Sequence, residues 1–296
     1  MTSIAVIGPG AIGGTLAAWL AQDPAFSITL CARTPLDSLR VETPDGVITA
    51  SPKVLIDPIA ASAMDWVLVC TKTYDVETTK PWLDRLVGAE TRVAIVQNGV
   101  EHARLFAHLV PAERIVPVMI NLPAARSAPG RIVQHRHGIV AVPAGRNGDD
   151  FVALFANTRI EAVADPDFVS QIWVKLTSNC ATILPTLTLR ATGPVWSADL
   201  ETIVRGLIEE CAAVGRAEGA IIPQAIIEEA VERFRIMPEG SSAGSIHADR
   251  LAGNAMEIDA RNGVIVRRGK QHGVPTPMNA LLVTLLGASG TPWVKP

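Results

Sequence analysis

The chain has 296 residues, 48% of them hydrophobic, so it is long enough to form two ordinary domains that each bury a core. Its 26 Lys and Arg against 29 Asp and Glu give a formal charge of −3, which excludes a bulk basic surface for nucleic acid or for an anionic membrane. No apolar run reaches the roughly 18 residues that a membrane-spanning helix needs.

The amino-terminal segment does not resemble a secretory signal. The first positive charge is Arg33, and the apolar run at residues 3–8 is better explained as a strand. The four cysteines are scattered without a CxxC pair, which argues against a disulfide framework and against a zinc site. We therefore expect a soluble cytoplasmic protein with reduced cysteines and no bound metal.

The first half of the chain alternates strand and helix patterns. An apolar run at Ile4–Ile7, a helical pattern at 11–22 and a second apolar run at 27–31 predict a βαβ unit. Three further apolar runs predict strands at Trp66–Cys70, Thr91–Val96 and Ile115–Ile120. Strands of this composition are typical of a parallel, doubly wound sheet that is covered on both faces.

The pattern changes near Asp165. Residues 131–142 predict two strands around His137-Gly138, and 151–163 predict a helix and a strand that close the sheet. Beyond Asp165 the periodicity predicts helices, at 168–182, 199–218, 224–235, 249–272 and 277–286. The sequence thus predicts an α/β domain over 1–164 and an all-helical domain over 165–296. A loop is expected at Pro238–Gly244.

A GxGxxG motif follows the first predicted strand and opens the first predicted helix, which is the position that dinucleotide binding requires. The first glycine permits a tight turn, the second lets the backbone approach a pyrophosphate, and the third allows close helix-to-strand packing. FAD enzymes share this spacing but usually have an acidic residue at the end of the second strand. The motif comprises Gly8, Pro9, Gly10, Ala11, Ile12 and Gly13.

At the end of the second strand this chain has Arg33 instead of an acid. An acid there would bind the 2′-hydroxyl of NAD, whereas an arginine suits the 2′-phosphate of NADP, so the sequence favours NADP. Two alternatives stay open. Arg33 can be an ordinary solvated charge, and a different loop path can bring Asp37 or Glu42 to the ribose of NAD.

Two polar residues follow predicted strands of the sheet. Lys72 comes after the strand that begins at Trp66, and Asn98 comes after the strand that ends at Val96. Ligands of open α/β sheets bind at this carboxyl edge, so both residues are candidates to contact a cofactor. An exposed surface lysine and a simple Asn-Gly turn remain alternative interpretations.

Two ionisable residues lie in apolar helical segments of the second half. Lys175 is either snorkelling from a buried helix or held in a cleft as a proton donor, and Asn179 lies on the same helical face. Glu257 is either a site residue or the partner of Arg261 in a helix ion pair at i,i+4 spacing. The residues alone do not decide between these interpretations.

Several separated motifs together resemble those of the ketopantoate reductase (2-dehydropantoate 2-reductase) family over essentially the whole length. They are Gly8–Gly13, Arg33, Thr71-Lys72, Gln97-Asn98-Gly99, Trp173–Leu176 with Asn179-Cys180, Glu257–Asp259 with Asn262-Gly263, and Gly273–Pro277 with Asn279.

The resemblance implies a Rossmann-type domain followed by a helical substrate-binding and dimerisation domain, with the active site in the cleft between them. It also implies NADPH-dependent reduction of a 2-keto acid, above all ketopantoate to pantoate in pantothenate biosynthesis. Lys175 would then be the general acid, and Glu257 would hold the substrate hydroxyl. Lys72 and Asn98 would contact the cofactor, and Asn98 and Asn179 the substrate. By this alignment Ser245 would bind the substrate carboxylate, with Asp249 as a structural support.

This chain departs from the family pattern after Asn179. The family commonly has a second asparagine where Ile183 and Leu184 stand here. Ketopantoate would therefore have fewer polar contacts, and the pocket can favour another, more apolar 2-keto acid. A non-catalytic nucleotide-sensing protein on the same fold is a third hypothesis, against which the retention of Lys175 and Glu257 argues.

Overall fold

The structure is a computed structural model, and it describes residues 1–238 and 244–290. The chain divides into two compact units. Unit 1 comprises Met1–Gln97 and Glu101–Phe168, and unit 2 comprises Asn98–Val100 together with the chain from Val169 onward. The domain limits at 1–164 and 165–296 stay a prediction. The predicted loop Pro238–Gly244 falls mostly on 239–243, outside the described residues.

The strands of the described residues belong to unit 1. In chain order they are β1 Thr2–Ile7, β2 Phe26–Cys31, β3 Leu39–Thr43, β4 Gly46–Ala50, β5 Lys53–Leu55, β6 Trp66–Val69, β7 Arg92–Ile95, β8 Ile115–Pro117, β9 Met119–Asn121, β10 Ala124–Ala128, β11 Arg131–Gln134, β12 Ile139–Pro143 and β13 Glu161–Asp165. The helices that begin in this part of the chain are α1 Ala11–Leu20, α2 Val76–Leu86, α3 His102–Phe106, α4 Arg146–Ala153 and α5 Phe168–Cys180.

Six strands form a parallel sheet in the order β5-β2-β1-β6-β7-β8, as predicted. Its central strand β1 alternates between two buried cores, with Ile4 and Val6 in one and Ala5 and Ile7 in the other. A sheet that is buried on both faces explains why its strands are continuous apolar runs. The carboxyl ends of β1, β6 and β7 lead directly into Gly8, Cys70 and Val96.

The two strands predicted at 131–142 are present, but the expectation that the helix and strand at 151–163 close this sheet is wrong. Strands β10, β11, β3 and β4 form a separate four-stranded sheet, and β13, β12 and β9 form a three-stranded one. The run predicted as one strand at Ile115–Ile120 is divided between two sheets, and Pro117 at the division has no N–H to donate to a ladder. Alternation identified these strands but not their partners, since Arg40 pairs with Arg131, far along the chain.

Unit 2 is helical, as predicted. After α5 it contains α6 Ile183–Thr188, α7 Ala198–Ala217, α8 Gln224–Arg235, α9 Ser245–Leu251, a π-helix at Asp259–Gly263, α10 Val264–His272 and α11 Pro277–Ala288. The single helix predicted over 249–272 is wrong. Helix α9 ends before Gly253, whose φ of +69° is left-handed and stops an α-helix. In the described residues, no helix is long and apolar enough to cross a membrane.

Candidate active site

The glycine turn between β1 and α1 is shaped by missing side chains. Gly8 has φ +84°, a conformation that L side chains rarely adopt. A Cβ atom at Gly13 would lie 2.5 Å from the carbonyl oxygen of Gly8 and 2.8 Å from the Cβ of Cys70. The first and third glycines therefore hold the strand, the turn and the helix in close contact.

The second glycine of the motif faces open space. A Cβ at Gly10 would meet no atom within 4 Å, so there is room beside the backbone for an outside group. Helix α1 starts here with no side-chain cap and no acidic residue in its first turn. Free N–H groups at a helix N-terminus attract anions, so this turn fits the pyrophosphate of a dinucleotide.

Two of the three other predicted cofactor contacts, Arg33 and Lys72, also follow strands of the parallel sheet. Arg33 is exposed, two residues beyond the end of β2. Lys72 is partly buried and precedes a short 3₁₀ turn after β6. Their side chains lie at the carboxyl edge of the sheet, in the same unit as the glycine turn.

Gln97 is a buried polar residue at the end of β7 that the sequence interpretation did not single out as a site residue. Its Nε2 donates to Thr71 Oγ1 at 3.1 Å and to the carbonyl of Lys72 at 3.2 Å. Its Oε1 is buried and has no hydrogen-bond partner among the described residues. A buried amide at this edge of a sheet was the available signal.

Asn98 follows Gln97 directly but belongs to unit 2. Its amide bridges two of the predicted site residues, because Lys175 Nζ donates to Asn98 Oδ1 at 3.2 Å and Asn98 Nδ2 donates to Glu257 Oε2 at 3.2 Å. The amide thus turns its acceptor toward the ammonium group and its donor toward the carboxylate. Three residues that are far apart in sequence form one hydrogen-bonded chain.

A glycine allows this bridge to form. Gly99 has φ +101°, and a Cβ there would lie 3.0 Å from the carbonyl oxygen of Ala260 and 3.3 Å from its Cβ. The turn at Asn98 therefore packs directly on the π-helix that follows Glu257. The Asn-Gly turn and the hydrogen bonds of Asn98 to Lys175 and Glu257 are both present at this position.

Lys175 lies on α5 and is partly buried. Burial lowers the pKa of its ammonium group to about 8, with a further lowering by the Arg261 cation and an opposing rise from Glu257. A lysine that is bound to Asn98 with a pKa near neutrality matches the cleft interpretation better than the snorkelling one.

The ion pair of Glu257 with Arg261, which was one of two interpretations left open by the sequence, is not among the ion pairs of the described residues. Arg261 Nη2 instead donates to the carbonyl of Asn179 at 2.8 Å and to Thr182 Oγ1 at 2.9 Å. Glu257 precedes the π-helix, so the α-helical spacing rule does not apply between the two residues. Arg261 is a buried cation, which the sequence interpretation considered only as a possible helix partner of Glu257.

The remaining predicted positions differ in burial. Asn179 is partly buried at the end of α5. Ser245 is exposed at the first residue of α9, after Gly244, whose φ is +107°. Ile183 and Leu184, which stand where the family commonly has an asparagine, are 0% and 7% exposed. Both side chains are aliphatic, so neither supplies a polar group.

Comparisons with known proteins agree with the geometry. The family model described as ketopantoate reductase PanE/ApbA matches residues 4–147, and the model of its C-terminal part matches 167–289. The chain belongs to the ketopantoate reductase family. It is 53% identical over 289 residues to a 2-dehydropantoate 2-reductase of Caulobacter vibrioides, covering 98% of this chain and 99% of the relative.

More distant relatives and solved structures extend the match. A 2-dehydropantoate 2-reductase of Mycobacterium tuberculosis is 33% identical over 290 residues, covering 97% of this chain and 98% of the relative. A PanE/ApbA family ketopantoate reductase structure from Ralstonia eutropha superposes with a TM-score of 0.87 at 29% identity, covering 97% of each chain. The resemblance, the Rossmann-type α/β class with its helical C-terminal part, and the oxidoreductase class are thereby confirmed.

Proposed function

We propose that this chain reduces 2-dehydropantoate to pantoate with NADPH. The carrying observation is the chain of hydrogen bonds from Lys175 through Asn98 to Glu257, in a protein of the ketopantoate reductase family. It combines a proton donor, a neutral bridge and a carboxylate acceptor. Reduction of a ketone to an alcohol requires such a donor at the developing alkoxide.

Lys175 is the proposed general acid. With a pKa of about 8, most of its amine is protonated at neutral pH, yet the proton is easier to release than that of an ordinary lysine. Its positive charge also polarises the carbonyl group. Asn98 fixes the direction of the ammonium group, so a proton can pass from Nζ to the substrate oxygen.

The other polar residues hold the substrate in this proposal. Glu257 accepts a hydrogen bond from the substrate hydroxyl and raises the pKa of Lys175. Asn179 presents its side-chain amide one helical turn beyond Lys175. Ser245, at the start of α9, remains a candidate for the substrate carboxylate.

The predicted cofactor residues, which belong to unit 1 except for Asn98 of unit 2, fit NADP. The turn at Gly8–Gly13 with the start of α1 would hold the pyrophosphate, Arg33 the 2′-phosphate, and Lys72 and Asn98 the nicotinamide half. The bound cofactor supplies the hydride. A D-mandelate dehydrogenase structure with NADH has the same fold with a TM-score of 0.86 at 21% identity, so the fold does not by itself select the phosphate.

The test is the loss of NADPH absorbance with purified protein and a panel of 2-keto acids led by 2-dehydropantoate, with NADH in parallel. Fast turnover of 2-dehydropantoate with NADPH supports the proposal. Turnover of other 2-keto acids alone supports a second candidate, a reductase for a more apolar substrate, which the buried Ile183 and Leu184 favour. Silence across the panel would point to a non-catalytic nucleotide sensor.

We also propose a cytoplasmic homodimer that pairs through its helical part. Helix α11 buries Leu282 and Leu286 but leaves Leu281 and Leu285 57% and 44% exposed. A ketopantoate reductase of Staphylococcus aureus that shares the fold at 21% identity is dimeric. Light scattering on the wild type and on Leu281→Glu tests the pairing, which the charge should disrupt.

A further inference from the structure

Arg261 is a charged group of unit 2 that the proton transfer does not use. It lies in the π-helix and is 5% exposed. No carboxylate of the described residues lies within ion-pair distance of its guanidinium. Arginines this deeply buried are rarely without a paired anion, because a buried charge without one is costly.

The protein satisfies only part of the guanidinium. Nη2 donates to the carbonyl of Asn179 and to the hydroxyl of Thr182. Within the described chain, no residue accepts a hydrogen bond from Nε or Nη1. These two atoms are nevertheless not completely buried, unlike the unpartnered polar atoms of the core. Each of these two atoms therefore keeps a small accessible surface, through which a group from outside the chain can reach it.

Arg261 is also close to the proposed proton donor. Its charge is one of the causes that lower the pKa of Lys175. Its Nη2 atom donates hydrogen bonds to Asn179 and Thr182. The next residue, Ile183, is the position at which the family pattern has an asparagine. The guanidinium is thus hydrogen-bonded to the residue directly before the position that lacks the asparagine.

We propose that Arg261 binds the carboxylate of the 2-keto acid substrate, with Nη2 kept on α5 and Nη1 or Nε donating to a carboxylate oxygen. This inference rests on the proposed function of the same site. In a 2-keto acid the carboxylate carbon is bonded directly to the keto carbon. A cation that holds the carboxylate beside Lys175 therefore also directs the carbonyl oxygen toward the ammonium group, and it selects acids over neutral ketones.

The experiment compares Arg261→Met with the wild type on three substrates. They are 2-dehydropantoate, 3-methyl-2-oxobutanoate, which lacks the hydroxymethyl group, and the methyl ester of the latter, which lacks the anionic carboxylate as well. Loss of a hydrogen bond to a charged group costs roughly 10- to 100-fold in kcat/KM. We expect that loss on both acids and little change on the ester.

Two other patterns would overturn the assignment. A loss on 2-dehydropantoate alone would place Arg261 on the substrate hydroxyl. An equal loss on all three substrates would show that Arg261 only positions Asn179 and α5. Arg268→Met is the matched control, since Arg268 is an arginine of α10 beside Glu218, and all three rates should stay at the wild-type level.

A binding measurement separates this inference from the proposed reaction. Calorimetry on the NADP⁺ complex gives the affinities for 2-hydroxy-3-methylbutanoate and for its neutral amide. We expect Arg261→Met to weaken the acid selectively and Arg261→Lys to restore part of its affinity. An unchanged ratio of acid to amide affinity contradicts the carboxylate contact even if the enzyme turns over no keto acid. If Arg261→Met does not fold, the same ratios are taken on Arg261→Lys.

Discussion

The candidate cofactor site of unit 1 depends on glycines, which have no side chain, whereas the candidate reaction site of unit 2 depends on buried charged side chains. In unit 1 the turn at Gly8–Gly13 works because a Cβ at Gly13 would collide with backbone and side chain. In unit 2 the ammonium of Lys175 and the carboxylate of Glu257 are linked through one amide. The first kind of site depends on local backbone geometry, and the second depends on tertiary packing.

The largest expected effect comes from removing the proton donor of unit 2. Lys175→Ala should lower turnover by roughly 10²- to 10⁴-fold, the usual contribution of a general acid. NADPH affinity, measured by fluorescence titration, should change little, because the residues proposed to hold the phosphates are in unit 1. Lys80→Ala, which removes an exposed lysine paired with Asp84, is the control. Intact catalysis in Lys175→Ala would mean that another group donates the proton.

The glycine turn gives the next effect, and a pair of variants separates its two functions. Gly13→Ala forces a Cβ against Gly8 and Cys70 and should lower the free energy of unfolding by about 1–3 kcal/mol, as overpacking does. Gly10→Ala points into open space and should leave that free energy unchanged while weakening NADPH binding. Urea denaturation and cofactor titration check both. Equal stability of Gly13→Ala and the wild type would contradict the close packing.

A charge reversal tests how unit 1 distinguishes its cofactor. Arg33→Asp should move the preference from NADPH toward NADH by roughly tenfold or more, because it replaces a charge-assisted hydrogen bond with repulsion of the 2′-phosphate. The ratio of kcat/KM values for the two cofactors measures it. Arg126→Asp makes the same charge change at another exposed position of this unit and should leave the ratio alone. If Arg33→Asp leaves the ratio of kcat/KM values for NADPH and NADH unchanged, another residue binds the 2′-phosphate.

The smallest effect is a shift in the pH profile of unit 2. Reduction needs protonated Lys175, so kcat should fall as the pH rises through about 8. Glu257→Gln removes an anion that favours the ammonium form and should move the midpoint to lower pH. Arg261→Met removes a cation that opposes this form and should move it to higher pH. If the pH profiles of kcat for the wild type and the two variants have the same midpoint, protonation of Lys175 does not control the rate.

The two units also differ in what the sequence revealed. The strand–turn–helix at the glycine motif was predictable because its whole signal lies within adjacent residues. The pairing of β3 with β11 was not, because nothing local states which distant strand will be a neighbour. In the same way the candidates Lys175, Asn98 and Glu257 were named from the sequence, but the direction of the Asn98 amide was not. Arg261 was considered only as a possible helix partner of Glu257, because the π-helical turn that contains it has no local signature.

The wide turn of the π-helix sends two successive side chains to different tasks. Arg261 donates to Asn179 and Thr182 at the C-terminal end of α5. Asn262 is fully buried and donates to the carbonyl of Cys180 and to Asn279 Oδ1. Asn279 in turn donates to Glu210, so this anchor runs through the helical core without Arg261. For protein engineering, Arg261 can therefore be substituted without removing the hydrogen bonds that Asn262 makes in the core. A library at this one position can change which acids the enzyme accepts while its neighbour keeps the scaffold in place.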